Sequence, residues 1–191
     1  MPPDPSSQAD DAPDAAAQDL LWMARIKQGD TDALRLLIEA HQHRVIGTVA
    51  KMLGDDADAE DISQQVFIRV WKSAARYEPT AKFTTWIYTV AHNRLVDHWR
   101  KRGLTLVALE GDDVASSSPD PADQAQARES LARFAAALDA LPALQREAFL
   151  LHEESELSIA EIAQATGANE ETAKSRLRYA TAKLRAAITD D

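Results

Sequence analysis

Apolar residues in this 191-residue chain recur every three or four positions, and no stretch alternates polar and apolar residues long enough to argue for a sheet. Leu34, Leu37, Ile38, His41, Val45 and Val49 share one side of a helix at about 100° per residue. Ile62, Val66, Phe67 and Val70 repeat the pattern, as do Ile87, Ala91, Leu95 and Trp99. That periodicity predicts an all-α fold. Two segments interrupt it. The opening MPPDPSSQADDAPDAAAQ is rich in proline and carries only negative charge, and GDDVASSSPDPADQAQ at 111–126 has the same Ser, Pro and Asp character. Neither holds enough apolar surface to offset the entropy of ordering it. The expected organisation is therefore a disordered acidic tail over 1–19, a helical domain over 20–103, a flexible linker over 104–129 and a second small helical domain over 130–191.

Turn residues sharpen the helix boundaries. Asp19 is expected to cap a short helix through LLWMARIKQ, and Gly29 to end it. A long helix follows over 31–53, stopped by Gly54 and Asp55. Helices over about 57–76 and 84–102 are joined by the loop YEPTAKF, and Pro142 starts a helix in the second domain.

Composition removes several classes of chemistry. With no cysteine there is no disulfide, thiolate zinc site or Cys nucleophile, and no thiol redox switch. His41 and His43 point to different helix faces, while His92 and His98 lie six apart with no adjacent pair of acids, so no metal site is expected. Six glycines form no phosphate-cradling motif, so neither an enzyme nor a cofactor is expected. No run of eighteen apolar residues and no basic-then-apolar leader is present, which predicts a cytoplasmic chain without membrane insertion.

The formal net charge of −10 would ordinarily argue against nucleic acid, but its distribution matters more than its sum. Residues 1–19 and 104–129 contribute −5 each, leaving +3 on 20–103 and −3 on 130–191. Within the last segment, TAKSRLRYATAKLR at 172–185 holds five basic residues and no acid. It follows LSIAEIAQATGANEE, which has the spacing of a helix-turn-helix, with small Ala163 where two helices approach and Gly167 where the turn needs positive φ. Ala173, Leu177, Ala180 and Leu184 form the buried stripe of the second helix. Lys174, Arg176, Arg178 and Arg185 flank it, and Ser175, Arg178 and Tyr179 face away, as a helix seated in a DNA major groove requires. The alternative is a solvated basic helix resting on Glu153, Glu154 and Glu156.

Two surfaces in the first domain call for partners. In DAEDISQQVFIRVWKSA, Asp61, Gln64, Gln65 and Lys72 oppose the apolar side, with Ile68 embedded among them. In FTTWIYTVAHNRLVDHWRKR, Trp86 departs from the core stripe and joins Thr89, Asn93, Asp97 and Arg100, which suits stacking on unpaired bases; the plainer role is packing against the loop 77–83.

These three motifs, in this order and with a linker between the second and third, resemble a bacterial sigma factor of the extracytoplasmic-function (ECF) group of the sigma-70 family. The resemblance covers roughly 20–103 and 130–188. It implies a first domain (region 2) that binds core RNA polymerase through the beta-prime clamp and melts the promoter −10 element. The second domain (region 4) would read the −35 element, with the beta flap as a further polymerase contact. Asp61, Gln64, Gln65 and Ile68 then stand at polymerase-contacting positions. Lys82, Trp86, Asn93 and Arg100 stand in the melting segment, where the loop from Pro79 to Lys82 corresponds to the one that captures a flipped base. Lys174, Ser175, Arg176, Arg178 and Tyr179 stand in the −35 helix. The resemblance also implies promoter DNA and an anti-sigma factor as partners. Ala173 replaces the usual Val, Tyr179 replaces a frequent Arg, and Glu170 and Glu171 place negative charge at the start of the reading helix. The competing reading is a conventional helix-turn-helix regulator that binds duplex DNA without polymerase.

Overall fold

A computed structural model of the chain describes residues 14–54, 57–103 and 124–189; residues 1–13 of the tail expected over 1–19, and residues 104–123 of the linker expected over 104–129, lie outside the described residues. The described residues form eight α-helices and no strand. Helix α1 spans Ala15–Lys27 and begins earlier than expected. Asp14, not Asp19, caps it, accepting from the Ala16 amide at 3.4 Å. Ala15, Ala16 and Ala17 carry the strongest intrinsic helix preference and extend the helix backward through the region read as tail. Asp19 consequently lands on the inner face, 5% exposed, where it pairs with His41 Nε2 at 2.7 Å.

Helix α2, Thr31–Leu53, starts where the Asp30 carboxylate accepts from the amides of Asp32 and Ala33. It stops at Gly54, whose φ of +68° is the left-handed cap that glycine adopts without strain. Helix α3, Ala59–Ser73, tightens into a 3₁₀ turn at Ala74–Arg76, and α4 spans Phe83–Lys101. Val45, Val49, Val66, Ile87, Leu95 and Trp99 are buried between these helices. Each large side chain removed from water in this way contributes about 1.5–3 kcal/mol.

Helix α5, Gln124–Asp139, starts inside the segment read as linker. Helix α6 is Ala143–Glu153 with Pro142 at its N-cap, α7 is Ile159–Thr166, and α8 is Glu170–Thr189. Ser158 and Glu161 form a complete capping box on α7. Gly167 ends α7 at φ +62°, and the Asn169 side chain accepts from the Thr172 amide at 2.7 Å to open α8. Ala173, Ala180 and Leu184 are buried as the periodicity predicts, while Leu177 is half-buried.

The two halves pack against each other, α7 lying on α4 and α6 on α2. One apolar cluster runs through both halves. Among the described residues, two ion pairs and one histidine–carboxylate hydrogen bond cross between them: Lys51 with Glu154 at 2.7 Å, Lys82 with Glu161 at 3.1 Å, and His92 Nδ1 with Glu147 Oε1 at 2.8 Å. At the end of α2, Arg146 comes so close that a Cβ on Gly54 would sit 2.8 Å from its guanidinium. A cation there complements the negative end of the α2 dipole.

Candidate nucleic-acid interface

The helix-turn-helix is built from α7, the turn and α8. Along α8, Lys174 and Arg178 are exposed, Ser175 and Tyr179 are half-buried, and the Arg178 guanidinium sits 4.8 Å from the centre of the Tyr179 ring. That stack positions a planar fork of donors on the outer face, the geometry that reads two acceptors on a base edge. Arg176 does not share this face. It is half-buried, its Nε is buried with no hydrogen-bond partner, and burial lowers its proton affinity against the opposing pull of the Glu147 carboxylate. In this arrangement the basic residue turned inward is Arg176, and the acid it senses is Glu147 rather than Glu153, Glu154 or Glu156.

On α4, Asn93, Asp97 and Arg100 are exposed along one side, and Trp86 stands at its upper end, half-buried. The indole packs edge-on against Tyr77 at 5.0 Å and tilted against Phe83 at 5.9 Å. The packing on the 77–83 loop considered for Trp86 is thus present, and it leaves part of the ring open beside the polar residues. Burial holds the Tyr77 hydroxyl in its neutral form, with the charge of Asp19 acting the same way. Lys82, at the N-cap of α4, keeps an exposed side chain while pairing with Glu161.

The outer face of α3 presents Asp61, Gln64 and Gln65, all exposed, with Ile68 46% exposed in their midst. Trp71 extends this surface at 38% exposure, and the sequence reading does not single it out. The available signal was its spacing, seven residues from Gln64 and three from Ile68, which puts all three on one helix side. Arg94 of α4 joins Gln65, Ile68, Arg69 and Lys72 around a shallow depression of about 180 Å³. Three surfaces therefore coexist on one chain: a mixed apolar and polar helix face, an indole beside hydrogen-bonding groups, and the basic outer face of α8.

Among the described residues no cluster of His, Asp and Glu could hold a metal ion, and no helix is long and apolar enough to cross a membrane. His41, His92 and His98 each face a single acid, Asp19, Glu147 and Asp58 respectively.

Comparison with known proteins fits this layout. Residues 37–105 match Sigma-70 region 2 and residues 131–184 match Sigma-70, region 4. The chain is 32% identical to the ECF RNA polymerase sigma factor SigK of Mycobacterium ulcerans, covering 91% of this chain and 95% of that protein. It is 34% identical to the RNA polymerase sigma factor CarQ of Myxococcus xanthus, over 85% of this chain and 93% of the other. Its fold resembles CnrH, solved in complex with the cytosolic domain of CnrY, with a TM-score of 0.67 at 23% identity over 91% of this chain and 99% of that one. It also resembles the sigma factor RpoE of Bartonella quintana, solved with the anti-sigma factor NepR, with a TM-score of 0.57 at 23% identity over 90% and 94% of the two chains. The all-α architecture, the ordered pair of modules and the extent of the matches to SigK and CarQ make the chain a member of the sigma-70 family, in its extracytoplasmic-function group.

Proposed function

We propose that this chain is the promoter-specificity subunit of RNA polymerase, active in the cytoplasm and carrying out no bond chemistry of its own. The observation that carries the reading is the presence on one chain of the Gln64, Ile68 and Trp71 face, the open edge of Trp86 above Asn93 and Arg100, and the Arg178–Tyr179 stack on a helix-turn-helix. A duplex-binding regulator needs only the last of these. The α3 face takes the polymerase clamp, because an exposed Ile and Trp rimmed by amides and charges have the make-up of a protein interface. Trp86 stacks on an unpaired −10 base while Lys82, Asn93 and Arg100 hold the backbone and base edges. Lys174, Ser175, Arg178 and Tyr179 read the −35 groove, with Arg176 beside them on the half-buried side of α8, toward Glu147 of the same domain. An anti-sigma factor acts by covering the exposed apolar side chains of α3 and the α8 helix.

The test is purified chain with and without core polymerase on promoter duplex. Tight, sequence-selective complexes and run-off transcripts are expected only with core enzyme. Tight duplex binding by the chain alone, with no association with core, would make it a conventional regulator.

A further inference from the structure

Trp86 stands in the first turn of α4, and that turn lacks the usual fastening. Lys82 at the N-cap makes no side-chain hydrogen bond to the first amides, and no acidic residue stands in the first turn. A helix end without a capping side chain leaves amide donors unsatisfied and frays. The large side chain that anchors this turn is Phe83, the first residue of α4, which is 1% exposed. The indole packs against both Phe83 and Tyr77, so its direction depends on how firmly those two rings are seated.

Both rings adjoin one buried polar pair. The His41 ring lies against Phe83, 5.0 Å away between centroids and tilted by 55°. His41 Nε2 is bonded to Asp19 Oδ1 at 2.7 Å, and the two side chains are 15% and 7% exposed. The Tyr77 hydroxyl is buried with no hydrogen-bond partner among the described residues, close enough to Asp19 for its charge to act on it. Helix α1, which carries Asp19, packs on the 3₁₀ turn leading into Tyr77 and on α4. The pair thus backs both walls of the Trp86 seat from two helices that supply neither wall. A buried polar pair seldom stabilises a fold more than apolar residues of the same volume, but its hydrogen bond has a direction. That direction fixes the imidazole against Phe83, where apolar packing alone would leave the ring freer to shift.

We infer that Asp19 and His41 are positioning residues for promoter melting: their hydrogen bond locks the Phe83 and Tyr77 seat that aims the open edge of Trp86 at an unpaired base. What Trp86 meets rests on the proposed function, whereas the locking is a property of the chain alone. A stacking platform works only when held in its productive orientation, and the residues behind it set that orientation.

Asp19→Leu combined with His41→Leu installs an apolar pair of similar volume, which buried packing accepts at little or no cost in stability. With core polymerase, run-off transcription by this double variant should fall about two- to tenfold on duplex template, the worth of half of one stack. It should recover on a template carrying a pre-opened −10 bubble. Asp19→Asn, whose amide oxygen still accepts from His41 Nε2, should transcribe the duplex like wild type. With the four tryptophans labelled as 5-fluorotryptophan, the fluorine resonance missing from Trp86→Phe belongs to Trp86. In the double variant that resonance should shift or broaden while the Trp71 resonance stays in place, with neither polymerase nor DNA present. If circular dichroism shows the double variant melting early, His41→Gln carries the same test, since it still donates to Asp19 but removes the ring from Phe83. Duplex transcription equal to wild type, or an unmoved Trp86 resonance, would overturn the positioning role. So would an equal loss on duplex and bubble templates, which would show that the pair only holds the fold together. Failure of the proposed function appears separately, as Trp86→Leu chain that melts duplex promoter as well as wild type.

Discussion

Trp86 separates a stacking residue from a packing residue, and its surroundings allow both costs to be sized. The indole is half-buried against Tyr77 and Phe83, with centroid distances of 5.0 and 5.9 Å. Truncating a fully buried Trp to Ala costs about 3–5 kcal/mol, so a half-buried one should cost roughly 2 kcal/mol of stability. Trp86→Leu keeps an apolar body on Tyr77 and Phe83 but loses ring volume, so it should cost roughly 1–2 kcal/mol, no more than the truncation to Ala. Neither variant has a π face for a base. Loss of one stack removes about 1–3 kcal/mol, or about 5- to 150-fold in the population of melted promoter. Trp86→Phe retains a smaller platform and should fall in between. Run-off transcription with core polymerase on duplex templates should therefore rank wild type above Phe, and Phe above Leu. A template carrying a pre-opened −10 bubble supplies the melting beforehand and should bring Leu close to wild type. Thermal melts followed by circular dichroism give the stability cost independently. If Trp86→Leu and Arg178→Ala were rescued equally by the bubble, or Leu matched wild type on duplex, Trp86 would be a packing residue and the stacking argument would fail.

Arg178→Ala removes the guanidinium held over Tyr179 and should cost about 1–3 kcal/mol of base discrimination. Transcription should drop at promoters that depend on the −35 element, with little recovery on the bubble template. Reversing charge with Asp61→Lys while changing Gln64→Ala on the exposed α3 face should weaken retention on immobilised core polymerase at least about fivefold, the scale of an interface residue worth 1 kcal/mol or more; unchanged retention would move the contact elsewhere. The Glu161 carboxyl is held below its ordinary value by the Ser158 amide, then by the Ser158 hydroxyl and Lys82. A depressed folded-state value means that its stabilisation is complete above the unfolded value of 4.5 and is lost as pH falls through the folded one. Glu161→Gln, which can still reach the Ser158 amide, should flatten the acid limb of a stability-versus-pH curve. An acid limb identical to wild type would show that the capping box carries no charge-dependent stability.

Legibility followed sequence separation. The Asp30, Gly54, Ser158 and Gly167 boundaries are set by contacts within a few residues, so periodicity and turn chemistry found α2, α3, α4 and the helix-turn-helix. Asp19 misled because two aspartates compete to cap one helix. The alanines between them shift the balance to Asp14, and the partner that makes burial of Asp19 tolerable, His41, is 22 residues away. The candidate site divides in the same manner. A single helix wheel predicts which residues of α3 face outward, and Trp71 was within reach of that reasoning. It cannot predict that Arg176 turns toward Glu147, because the opposing surface comes from another helix.

The contacts between the halves lie further still from local inference, His92 to Glu147 across 55 residues and Lys51 to Glu154 across 103. What a sequence can show of such an interface is its charge balance, and here the opposite signs of the two halves were visible while their consequence was not. The consequence follows from where the acids sit. Glu161 caps α7 and Glu147 lies on the buried side of α6, so both are fixed by the fold of the second domain rather than by the contact. The groups they meet, Lys82 at the N-cap of α4 and His92 within it, belong to the first domain. Opposite charges carried by two parts of one chain meet at the effective concentration that their covalent connection sets. Glu147 Oε2 and Arg146 Nε, buried with no hydrogen-bond partner among the described residues, make this contact more costly to form than an apolar one of the same size.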